Sequence, residues 1–131
     1  MRVTSIFCLV AKPSAPNGVQ ITEVSKSHVE LTWRIPNSDG GSPIIGYVIE
    51  TRAPGRTSKW QRANRDTVPE TTYKITGLRE GRFYDIRVSA ENAAGIGPTA
   101  EISGERGERA TPGETSKPRN RNLILNLIFL F

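Results

Sequence analysis

Few residues in this chain have the side chains for catalysis or ligation, and their spacing limits what they can do. His28 is the only histidine and Cys8 the only cysteine. A histidine-based triad or dyad needs its histidine beside a nucleophile and a positioned acid. His28 opens an alternating run and reads as a polar residue at a strand edge. A tetrahedral metal site draws its ligands mainly from His and Cys, which are too scarce here. Gly95-Ile96-Gly97 has the glycines of a phosphate cradle, but no helical pattern follows, so it reads as a turn. Glu50, Asp85 and Glu91 alternate with basic residues and read as solvated strand faces, where ion pairs contribute about 0–1 kcal/mol. The sequence predicts no enzyme, no metal and no cofactor.

The net charge of +5 raises the question of a polyanionic partner. Between Pro13 and Pro112 there are 13 basic and 12 acidic residues, so the excess lies near the ends, at Arg2, Lys12, Lys117, Arg119 and Arg121. A nucleic-acid interface needs Lys and Arg clustered on the domain itself, and none is expected. A lone cysteine cannot form an intrachain disulfide, which points toward an intracellular setting. So does the lack of a glycosylation sequon: Asn37-Ser38-Asp39 fails, as do Asn17, Asn64 and Asn92.

The elements that must position any site are strands. From Tyr84 to Glu91 the chain alternates strictly, with Tyr84, Ile86, Val88 and Ala90 on one side and Asp85, Arg87, Ser89 and Glu91 on the other. Such period-two patterning marks a strand with one buried and one wet face. Six further strands are predicted over 19–24, 28–35, 44–52, 58–63, 71–76 and 100–104. The chain has nine prolines and 12 glycines, most of them outside these runs, which favours tight turns over helices. Ala53-Pro54-Gly55 ends the third strand, and Asn92 to Pro98 reads as a loop. Seven short strands in one domain predict an all-β, seven-stranded Greek-key sandwich. Its expected core is Trp33, Tyr47, Ile49, Trp60, Ile75, Leu78, Tyr84, Ile86 and Val88, with Ile35 continuing the inward side of the second strand. Leu78-x-x-Gly81-x-x-Tyr84 has the spacing of a tyrosine corner, in which a tyrosine at a strand start bonds back to upstream backbone.

The domain is assigned to 13–112, between an N-terminal segment, 1–12, and a C-terminal segment, 113–131. The first segment is read as a linker; a short signal peptide is the rival, set back by Thr4 and Ser5 in its apolar run. Residues 113–122 read as a polar linker. The apolar stretch 123–131 is too short to span a bilayer, which takes about 20 residues as a helix. It is read as an incidental terminus, and no membrane partner is expected.

Taken together, Pro16, Trp33, Tyr47, the Leu78–Tyr84 corner and Arg87-Val88-x-Ala90-x-Asn92-x-x-Gly95-x-Gly97-Pro98 resemble the fibronectin type III domains. A narrower resemblance, to the repeats of titin, twitchin or projectin and myosin-binding protein C, rests on Asp39-Gly40-Gly41-Ser42-Pro43-Ile44-Ile45-Gly46-Tyr47, Ser58-Lys59-Trp60 and Ser89-Ala90-Glu91-Asn92-Ala93-Ala94-Gly95. The Arg-Gly-Asp of integrin-binding members and the Trp-Ser-x-Trp-Ser of cytokine receptors are absent. The resemblance implies a non-catalytic, force-bearing and filament-docking module of a cytoplasmic, sarcomeric protein. Neighbouring immunoglobulin or fibronectin type III domains and a thick-filament partner such as myosin would follow. The rival is an extracellular adhesion or receptor module.

The residues themselves offer one surface for docking. If the third and sixth strands pair, Val48, Glu50, Arg52, Asp85, Arg87 and Ser89 share an outer face. Glu50, Arg52 and Arg87 are then the candidate partner-binding residues.

Overall fold

The computed structural model describes residues 9–53, 59–80 and 82–102. Cys8, Pro54, Gly55, Ser58, Gly81, Gly104 and the segment 113–131 lie outside the described residues. Seven strands run in chain order: β1 Asn17–Val24, β2 Val29–Arg34, β3 Gly46–Arg52, β4 Gln61–Arg62, β5 Thr72–Ile75, β6 Asp85–Asn92 and β7 Gly95–Glu101. They form two antiparallel sheets, a three-stranded one ordered β1-β2-β5 and a four-stranded one ordered β4-β3-β6-β7. Strands adjacent in sequence thus change sheets at β2–β3, β4–β5 and β5–β6, which sets the two layers face to face.

The period-two pattern explains the core. Val29, Leu31 and Trp33 of β2, Tyr47 and Ile49 of β3, and Ile86, Val88 and Ala90 of β6 are all buried between the sheets. Val19, Ile21 and Val24 of β1 and Ile75 of β5 complete the interior. Burying a large aliphatic or aromatic side chain contributes roughly 1.5–3 kcal/mol. Trp33 and Tyr47 meet edge to face, with ring centres 5.3 Å apart and planes at 66°, an arrangement that adds about 0.5–1.5 kcal/mol beyond burial.

Leu78 and Tyr84 are half-buried against this core. The Tyr84 hydroxyl accepts a hydrogen bond from the Arg79 amide at 3.0 Å. The Leu78 amide donates to the Ser27 carbonyl in the β1–β2 turn at 3.0 Å. The corner is therefore fastened both to β6 and to the hairpin of the other sheet.

Four expectations need correction. Ile35 is 66% exposed: the alternation continues past the end of β2, and the neighbouring Pro36 is buried instead. Trp60 lies outside the core cluster, over the guanidinium groups of Arg52 and Arg87. The fourth strand shrinks to Gln61–Arg62. Gly95-Ile96-Gly97 and Pro98 belong to β7, which starts five residues before the expected strand. A register shift falls in the β6–β7 ladder beside Pro98, and an edge strand tolerates a residue with no amide proton at such an irregularity.

Candidate functional site

The outer side of the four-stranded sheet is built by the β3–β6 ladder. In it Glu50 lies directly opposite Arg87, Arg52 opposite Asp85 and Val48 opposite Ser89. One row continues outward in both directions, to Arg62 of β4 and Glu101 of β7, so charges alternate across all four strands. Arg87 Nε donates to Glu50 Oε1 at 2.8 Å. Arg52 donates to Asp85 Oδ2 from Nε at 3.2 Å and from its terminal nitrogen at 3.0 Å.

Trp60 closes this arrangement from outside. Its ring centre is 4.1 Å from the guanidinium carbon of Arg87 and 4.5 Å from that of Arg52. The two arginines occupy diagonal positions on adjacent strands, so one indole reaches both. Each contact of this type is worth about 0.5–1 kcal/mol at an exposed site. Glu50, Arg52 and Arg87 are thus brought together, and each arginine already has a carboxylate and an aromatic face. With its carboxylates paired and its guanidinium groups covered, the face is a preorganised, charge-balanced platform with a half-buried indole. Trp60 was missed as a surface residue because a tryptophan in an all-β chain reads as core. The available signal was a pair of arginines at diagonal register positions beneath it.

Asn64 supports the platform from the side and gave no sequence signal. It is 2% exposed. Its Oδ1 accepts from the Ile49 amide at 2.8 Å, and its Nδ2 donates to the Tyr47 carbonyl at 2.9 Å and the Asp66 carbonyl at 2.8 Å. Tyr47 and Val68 exchange backbone hydrogen bonds in both directions. The loop after β4 therefore supplies the edge pairing that a two-residue strand cannot. Arg62 Nε donates to the Asn64 carbonyl at 2.8 Å, and Thr67 Oγ1 to Glu91 Oε1 at 2.9 Å, which tie the loop back to the charged face. Burial raises the pKa of the Tyr47 phenol, because desolvation disfavours its anion.

His28 has more company than its position at a strand edge implied. Its Nδ1 lies 2.6 Å from Ser25 Oγ and its Nε2 3.0 Å from Glu23 Oε1. A serine, a histidine and a carboxylate are in contact, yet all three sit on one hairpin, where the Ser25 amide donates to the His28 carbonyl at 2.9 Å. The contacts hold the turn whose Ser27 carbonyl receives Leu78, so the cluster braces the corner. No group of three or more metal-ligating side chains occurs among the described residues.

Comparison with known proteins agrees with this architecture. The model of the family described as "Fibronectin type III domain" matches residues 14–105. Fast-type myosin-binding protein C of Gallus gallus is 40% identical over 88 residues, covering 67% of this chain and 8% of that protein. Myomesin-2 of Homo sapiens is 37% identical over 91 residues, covering 70% of this chain and 6% of that protein. The chain thus spans less than a tenth of the length of these relatives. Among solved structures, a set of titin domains superposes with a TM-score of 0.68 at 34% identity, covering 79% of this chain and 33% of that one. The twitchin kinase region of C. elegans gives 0.69 at 30% identity, covering 83% and 18%.

Proposed function

Because the chain belongs to the fibronectin type III domain family, and is related to modules of muscle proteins, we propose that it is a non-catalytic structural and protein-binding module of a modular, cytoplasmic, sarcomeric protein. In this reading it serves as a force-bearing spacer and a filament-docking unit between neighbouring immunoglobulin or fibronectin type III domains. It needs no cofactor. Its docking face is the outer side of the β3–β6 ladder, and its partner is a thick-filament protein such as myosin.

The observation that carries the docking role is the stack of Trp60 on Arg52 and Arg87. Binding costs free energy to immobilise side chains, and groups already fixed by neighbours lose less. Aromatic and arginine residues are also the side chains most often found to dominate interface energetics. Topology supports the force-bearing role: the chain enters through β1 in one sheet and leaves after β7 in the other. A pull on the two ends therefore acts across the core and the tyrosine corner.

The test is co-sedimentation with purified myosin filaments, comparing the natural sequence with Trp60→Ala and with the double charge reversal Arg52→Glu, Arg87→Glu. Both variants should keep a β-sheet circular dichroism spectrum and bind more weakly. Unchanged binding by both would overturn the assignment of this face.

A further inference from the structure

The residues ahead of β1 are fastened to the sandwich along their backbone. The Ala11 amide donates to the Gly40 carbonyl at 2.7 Å, and the Ser14 amide to the Ser38 carbonyl at 3.0 Å. Ser14 Oγ accepts from the Ser38 amide at 3.0 Å. From the β6–β7 hairpin, Asn92 Nδ2 donates to the Ala11 carbonyl at 2.7 Å and to the Asp39 carbonyl at 2.6 Å. Asn92 is itself 2% exposed, and its Oδ1 is engaged by the Ala94 amide at 2.8 Å. One side chain thus joins three separate parts of the chain.

Two glycines make room for this crossing. Gly40 adopts φ 78°, and a Cβ there would fall on the Ala11 carbonyl oxygen. Gly97 matters for space alone, since a Cβ there would fall on the Pro13 carbonyl oxygen. Pro13 is buried where it crosses. Leu9 is 72% exposed, although its carbonyl oxygen still lies close to Gly41, 3.3 Å from where a Cβ would be.

We propose that Gly40, Asn92 and Gly97 form a saddle that docks the backbone of Ala11–Ser14 and so fixes the direction in which the chain enters the domain. The saddle contacts mainly amides and carbonyls, so it constrains the glycines and the asparagine more than the side chains of the docked segment. A connector clamped up to Ala11 has fewer free residues, and this narrows the range of positions open to whatever is joined ahead of it. The consequence for a preceding module rests on the tandem reading above; the docking itself does not. A segment held by a handful of backbone contacts is also expected to open locally before the sandwich unfolds.

Pulsed electron–electron resonance between spin labels tests this in the full chain. Labels would be placed at Leu9→Cys and Lys74→Cys in a Cys8→Ser background, Lys74 being exposed on β5. The expected result is one narrow distance distribution, which broadens in Gly97→Val and again in Asn92→Ala while the circular dichroism spectrum is retained. Asn92→Ala removes the clamp without adding bulk, so it keeps the test open should Gly97→Val fold poorly. A distribution that is broad at the outset, or that stays narrow in a folded Asn92→Ala variant, would overturn the saddle. A narrow distribution together with unchanged myosin binding in the Trp60 and arginine variants would overturn the docking-face reading and leave the saddle standing.

Discussion

The ring centre of Trp60 lies 4.1 Å from the guanidinium carbon of Arg87, so the largest aromatic outside the core is held by a charge. Its truncation should be correspondingly mild. For Trp60→Ala, we expect a loss of about 1–2 kcal/mol, the sum of two cation–π contacts, read as a lower urea midpoint with an unchanged m-value. A core tryptophan would cost about 3–5 kcal/mol, and a loss that large would place Trp60 inside after all.

Asn64→Ala should cost more than its loop position suggests. It leaves the Ile49 amide without the Oδ1 acceptor that it meets at 2.8 Å, and a stranded buried donor costs about 1–3 kcal/mol. Asn64→Asp should not rescue stability, because a carboxylate cannot donate to the Tyr47 and Asp66 carbonyls. Thermal melting of the two variants beside the natural sequence checks this; a stable aspartate variant would contradict it.

Tyr84→Phe isolates the hydroxyl of the corner. Losing the hydrogen bond from the Arg79 amide should lower stability by about 0.5–1.5 kcal/mol, speed hydrogen exchange at that amide and reduce the unfolding force in single-molecule pulling. Equal unfolding force and equal exchange would show that the corner bears no load.

Alkaline stability should depend on Tyr47. Its folded-state pKa is raised by burial, while the unfolded phenol titrates at about 10. The protonated form is thus favoured in the folded state, and the contribution is present in full below pH ~10. It is lost as the pH rises through the folded-state value. Tyr47→Phe removes this dependence and keeps a ring against Trp33. The difference in urea midpoint between the two proteins should therefore shift in favour of Tyr47→Phe as the pH is raised above about 10. A difference that does not change with pH would refute it.

Where a strand alternates cleanly, its sequence was nearly enough: β2 faces as its pattern requires, β6 does so except at Ser89, which is 1% exposed where a wet residue is expected, and Glu50 meets Arg87 because β3 and β6 pair in that register. Local pattern failed where a tertiary relationship decides the outcome. Ile35 keeps the rhythm of β2 beyond the point where the sheet ends. Gly95, Gly97 and Pro98 have turn chemistry, yet they lie in an edge strand that tolerates them. Trp60 follows no period because its position is set by arginines on two other strands. Asn64 is one more polar loop residue until the backbone of β3 is seen to require it.

The two-residue length of β4 has a consequence for assembly. A sheet edge with open amides and carbonyls can recruit a strand from another molecule. Beside Tyr47 and Ile49 those groups are already engaged by Val68 and by the Asn64 side chain. Along the opposite edge, Pro98 in β7 has no amide proton to offer. Modules of similar sequence that unfold and refold side by side are prone to exchange strands with their neighbours. Here a side chain does the pairing that a longer β4 would do, and that part of β3 is closed to a strand from another molecule.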